Sequence, residues 1–221
     1  MFSLFKKKQK EPDIRDILFG DVPLSQWPDK TKATEVEPWQ SFKRAREYIK
    51  SSDDQAAAQV YKNILEMPDL ESRHYLQAWH FLRKVGIQPD QTYAKDIIGI
   101  IVEVPLQEGL DLLAAYDDGT ARYFNYSGAG VVWDAPDSSL KDDIERVLLA
   151  GKRVVSEIGL WESVRPQAPP LGQARINILT PSGLHFKQAT LELLATDQLS
   201  GPVFAASTQL MESLIAKTKE S

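Results

Sequence analysis

Residues 97–133 read IIGIIVEVPLQEGLDLLAAYDDGTARYFNYSGAGVVW, and the period of their apolar side chains decides the fold. Ile97 to Val104, Leu110 to Tyr116, Ala121 to Tyr126 and Val131 to Trp133 are rich in β-branched, aromatic and aliphatic residues. Between them stand Gln107-Glu108-Gly109, Asp117-Asp118-Gly119 and Ser127-Gly128-Ala129-Gly130. Connections this short join antiparallel neighbours, so the stretch predicts a four-stranded meander. Its second and third strands carry apolar side chains at both parities: Leu112, Ala114 and Tyr116 against Leu113 and Ala115, then Tyr123 against Phe124 and Tyr126. A sheet buried on one face alternates, whereas this pattern requires cover on both. Downstream helices supply one cover. The other falls to the N-terminal helices, a second subunit or a partner.

Downstream, Pro136, Asp137 and Ser139, followed by Asp142, predict a capped helix start. The stripe Leu140, Ile144, Val147, Leu148, Gly151, Val154, Val155 and Ile158 is wide enough to cover a sheet. Glycine inside a helix costs about 1 kcal/mol, so Gly151 marks close approach of helix to sheet. Pro166, Pro169 and Pro170 break the chain; Arg175 to Leu179 and Leu184 to Phe186 form a hairpin, and a last helix starts at Gly201-Pro202. Strands in blocks rather than in strict alternation with helices indicate an α+β fold. It comprises an N-terminal helical segment of about three helices, then an antiparallel sheet (a four-stranded meander plus a hairpin) packed with two helices. This element order resembles that of profilin-like and roadblock-like two-layer sandwiches.

Upstream the period is helical. Trp39, Phe42, Ala45 and Ile49 make one stripe, Ala57, Tyr61, Ile64 and Leu65 a second, and Tyr75, Ala78, Trp79 and Leu82 a third that Gly86 stops. Residues 1–37, with Pro12, Pro23 and Pro28, read as a flexible or irregular lead-in containing one or two helical turns around Ile14, Ile17 and Leu18. The expected organisation is 1–37 lead-in, 38–87 helical segment, 88–221 α+β domain. Within residues 38–71, Ala45-x2-Tyr48 and Ala57-x3-Tyr61 resemble the helical hairpin of a tetratricopeptide repeat. Ser41 and Asp69 depart from that pattern, and no second copy follows.

The chain has 221 residues, a net charge of −5 and no cysteine, which excludes disulfides, thiolate metal sites and cysteine nucleophiles. Residues 97–137 hold seven carboxylates and one cation, Arg122, the reverse of the basic stripe that nucleic acid requires. No apolar run reaches the ~18 residues of a membrane span. The N-terminal MFSLFKKKQK has its charges after too short an apolar run for a secretory signal, and Lys6, Lys7, Lys8 and Lys10 offer at most a weak contact with an anionic membrane surface. A cytoplasmic protein is expected.

The chemistry-bearing groups have structural explanations. His74 and His80, six apart on one helix, point about 120° away from each other and cannot share a metal. Ser182-x2-His185 offers a nucleophile and a base, but a hairpin turn accounts for the serine. Gly128-Ala129-Gly130 opens a strand rather than the helix that a phosphate cradle needs. Asp117-Asp118-Gly119 lacks the later ligands of a calcium loop. Arg165-Pro166-x2-Pro169 is either a polyproline ligand or a plain connection. No cofactor, metal or catalytic residue is assigned. The expected function is a non-enzymatic protein-interaction, adaptor or regulatory role, binding a protein partner or a second copy through the helical segment and an acidic, aromatic sheet surface of Tyr116, Arg122, Tyr123, Tyr126 and Trp133. The alternative is a small-ligand sensor or carboxylate-using enzyme, with Asp111, Asp117, Asp118 or Asp134 at a pocket at the sheet end.

Overall fold

The computed structural model describes residues 12–27 and 35–218. The fold is α+β, with seven helices and one six-stranded antiparallel sheet among those residues. The chain divides into two compact units between Val85 and Gly86.

In the first unit, helix α1 (Ile14–Phe19) starts where the Asp13 carboxylate accepts the Arg15 amide at 2.8 Å. It ends at Gly20, whose φ of +62° suits glycine, and a Cβ there would sit 2.6 Å from the Leu76 Cβ. Residues 12–27 of the lead-in are therefore docked. Gln77 accepts the Val22 amide at 3.1 Å, and Trp27, after one 3-10 turn, is almost wholly buried. Helices α2 (Trp39–Lys50), α3 (Asp54–Leu65) and α4 (Ser72–Lys84) complete the unit. Asp53 caps α3 through the Ala56 amide at 3.0 Å. The rings of Trp39, Phe42 and Phe81 meet Trp27 edge-on at 6.2, 5.1 and 5.1 Å. Ala45, Ala57 and Tyr61 are fully buried.

In the second unit the meander is β1 (Gly99–Leu106), β2 (Gly109–Tyr116), β3 (Ala121–Phe124) and β4 (Gly130–Trp133). The hairpin β5 (Gln173–Thr180) and β6 (Gly183–Thr190) joins the same sheet by pairing β5 with β1, giving the order β4-β3-β2-β1-β5-β6. Helices α5 (Lys141–Glu157) and α7 (Ser200–Lys217) pack against each other over one face, where Ile100, Val102, Leu113, Ala115, Ile176 and Ile178 are buried. A Cβ at Gly151 would lie 2.3 Å from the Ile100 Cδ1, so backbone does come close to the sheet there.

Three details differ from the sequence reading. Leu140, not a polar side chain, caps α5, because the Asp137 carboxylate accepts the nearby Ser139 amide at 2.7 Å instead. A short helix α6 (Leu191–Thr196) follows β6, started by the Thr190 hydroxyl, and its six residues are too few to show a period. The middle of the sheet's rear face is buried but not purely apolar: Ile101, Leu112, Ala114 and Tyr116 share it with Glu103, Arg122, Arg175 and Asn177, while Val132 on β4 is exposed.

Candidate docking surface

The sheet has two ends. At one of them β1 turns into β2, β3 turns into β4, β5 begins and β6 finishes. Leu106, Tyr126, Leu171, Leu191 and Leu193, five exposed large apolar side chains, belong to this end. Leu171 is 62% and Leu193 60% exposed, far more than core leucines, and they come from different connections. Single exposed apolar residues are ordinary; several at one end of a sheet make that end a candidate docking surface.

Each is held in place by specific chemistry. Leu106 closes β1 opposite Gly109, and a side chain at Gly109 would collide with the Tyr126 carbonyl oxygen at 2.6 Å, so glycine lets the two turns approach. Asp111 fixes the second turn by accepting the Tyr126 amide at 2.7 Å and the Tyr123 hydroxyl at 2.8 Å. Leu171 precedes β5 on the connection 159–172. That connection is pinned to the rear face: Trp161 meets the Phe186 ring at 5.1 Å and pairs with Leu184, while Arg175 donates to the Gln167 carbonyl oxygen at 2.8 Å. Leu191 and Leu193 stand on α6, which is anchored by fully buried Leu194 and by Asp197 at its end, paired with Lys187 at 2.6 Å. Asp197 also accepts the Ser200 amide, and these bonds hold its carboxyl well below the usual carboxylate range.

Arg175 belongs to a buried network. Its guanidinium meets the Glu103 carboxylate at 3.3 Å and Gln188 at 2.9 Å and lies over the Phe186 ring. Asn177 donates to both Glu103 and the Ile101 carbonyl oxygen at 3.1 Å, which ties β5 to β1.

The five residues expected to share one surface are divided by the pleat. Trp133 is buried among the core side chains under the helices, with the Lys217 ammonium 6.0 Å from its ring centre. Tyr123 lies on that same face, half-buried. Tyr116 and Arg122 are buried on the rear face, where the guanidinium lies over the Tyr116 ring and pairs with Asp134 at 3.1 Å. Tyr126 alone of the five is exposed, and it stands on the hairpin rim. The remaining rim residues, four leucines, carry no motif; their one signal is that each lies within three residues of a strand end.

The four candidate carboxylates do not form one set. Asp111 is at the rim end, whereas Asp117 and Asp118 occupy the β2–β3 turn and Asp134 follows β4, all at the far end of the sheet. Asp118 accepts the Thr120 amide at 2.9 Å. Ser182 and His185 do meet, at 3.4 Å. The other ring nitrogen of His185 faces the Ile158 carbonyl oxygen at 3.3 Å, where a carboxylate would stand in a triad, and burial lowers the His185 pKa. The Ser182 amide is bonded to the Ala94 carbonyl oxygen, so it is not aimed at an oxyanion. In the Arg165-Pro166-x2-Pro169 segment Pro169 is buried and Pro166 half-buried, which turns the prolines inward. Among the described residues no three His, Asp or Glu side chains gather as a metal site, and no helix is long and apolar enough to cross a membrane. Lys6, Lys7, Lys8 and Lys10 lie outside the described residues. Comparison with protein-family models, with curated proteins and with solved structures finds no match to this chain.

Proposed function

We propose that this chain is a non-enzymatic protein-interaction module that docks a partner protein through the hairpin rim of its sheet. The observation that carries the reading is the gathering of Leu106, Tyr126, Leu171, Leu191 and Leu193 at one end of the second unit. Chemistry supports it from the other side. The buried cations are used in structure, Arg175 with Glu103 and Arg122 with Asp134, and of the candidate carboxylates Asp111 is engaged by Tyr126 and Tyr123, Asp118 by the Thr120 amide and Asp134 by Arg122. The reading includes a cytoplasmic setting, which a cysteine-free composition suits.

Affinity capture from cells of the source organism tests this, with wild type compared against the double variant Leu171→Asp, Leu193→Asp. Both positions are exposed, so the variant keeps its circular dichroism and melting temperature. Loss of a stoichiometric partner from the variant supports the reading. A partner retained by the variant, or one that proves to be a second copy held through the first unit, overturns it.

A further inference from the structure

The hairpin rim is acidic as well as apolar. The segments that build it, residues 104–111, 124–131, 168–174 and 188–194, contain Glu108, Asp111 and Glu192 and not one lysine or arginine. Glu108 and Glu192 are exposed, in the β1–β2 turn and the first turn of α6. The cations one step further along the strands are committed elsewhere, Lys187 to Asp197 at 2.6 Å and Arg175 to Glu103 at 3.3 Å. Leucines and a tyrosine between carboxylates without counter-charge complement a segment that presents apolar side chains beside cationic ones.

We propose that the rim receives a basic amphipathic segment of a partner protein, its apolar side chains seated among Leu106, Leu171 and Leu193 and its lysines or arginines facing Glu108 and Glu192. This rests on the docking reading above and adds the chemistry of the occupant. The exposed carboxylates contribute to on-rate and choice of partner more than to affinity, which comes from the leucines. An anionic lipid surface is disfavoured by the same three carboxylates, because like charges repel where a membrane-docking patch carries lysine or arginine.

The full chain, titrated into a fluorescently labelled model peptide of leucine and lysine and into its leucine and glutamate counterpart, reads this directly by anisotropy. The lysine peptide binds at least about tenfold tighter than the glutamate peptide, and physiological salt weakens it. Charge reversal by Glu108→Lys with Glu192→Lys removes that preference, and Leu171→Asp with Leu193→Asp removes binding altogether. Equal binding of the two peptides, or a preference that survives charge reversal, overturns the basic-segment inference while leaving docking at the rim intact. Lysine-peptide binding that survives the leucine substitutions shows that the rim is not the site and overturns both. No binding of either peptide, with wild type sedimenting on phosphatidylserine vesicles, replaces the protein partner by a membrane and overturns the inference too; no binding of peptides or vesicles refutes it outright.

Discussion

Asp111 holds the turn that presents Tyr126: one carboxylate oxygen accepts the Tyr126 amide at 2.7 Å while the other accepts the Tyr123 hydroxyl at 2.8 Å. Burial first, and the neighbouring carboxylate second, push the Tyr123 hydroxyl up to about 12 from its ordinary value of 10.0. Folding therefore favours the protonated phenol, so its contribution is complete below 10.0 and is lost as pH rises toward about 12. Urea midpoints measured across that window fall for wild type and fall less for Tyr123→Phe. Parallel curves for the two proteins would show that Tyr123 titrates alike in folded and unfolded chains.

Tyr61 is fully buried and stacked on Phe81 at 5.5 Å, yet its hydroxyl has no hydrogen-bond partner among the described residues. A buried, unsatisfied hydroxyl pays its desolvation without return, so Tyr61→Phe stabilises the first unit by about 1 kcal/mol. Chemical denaturation checks it. A destabilised variant would mean that the hydroxyl has a partner in solution.

Local features of this fold were legible in the sequence, and long-range ones were not. The meander followed from turns that each span a few residues, and Gly151 followed from the cost of glycine within a helical stripe. The placement of β5 beside β1 depends on pairings such as Glu103 with Arg175, far apart in the chain, and the docking of α1 depends on Val22 meeting Gln77. No periodicity reports such pairings. The candidate surface suffered from the same limit. The expected surface grouped Arg122 with Tyr123, although neighbours on a strand point to opposite sides of β3; which sides are buried is set by the elements that cover them, and Arg122 proved buried and Tyr123 half-buried. Leu171, on the connection before β5, and Leu191 and Leu193, on α6, sit outside the strands, and only the assembled sheet brings them to the end that Tyr126 shares.

Glu103 and Arg175 form a buried ion pair across β1 and β5, with the carboxylate fully shielded. Removing one partner leaves a buried charge without its counter-ion, so Glu103→Ala costs about 3–5 kcal/mol. Replacing both residues by methionine costs less than the single change. A double-mutant cycle on denaturant midpoints decides it, and a neutral Glu103→Ala would contradict the burial of the pair.

At Gly151, a methyl group gains about 1 kcal/mol of helix propensity but meets the Ile100 Cδ1 at 2.3 Å in the core. Overpacking of a filled core costs about 1–3 kcal/mol, so Gly151→Ala destabilises on balance. Ile100→Val removes the offending methyl, and in the Gly151→Ala background it restores melting temperature rather than lowering it. Additive losses in the pair would show that Gly151 and Ile100 do not touch.

The rim is the centre of this account, and hydrogen exchange of the full chain, alone and bound to the partner recovered by wild-type capture, reads it most directly. Protection gained at residues 106–110, 125–130, 170–173 and 190–194 is the predicted result. Protection confined to α2, α3 and α4, with those four segments exchanging as they do in the free protein, would contradict it.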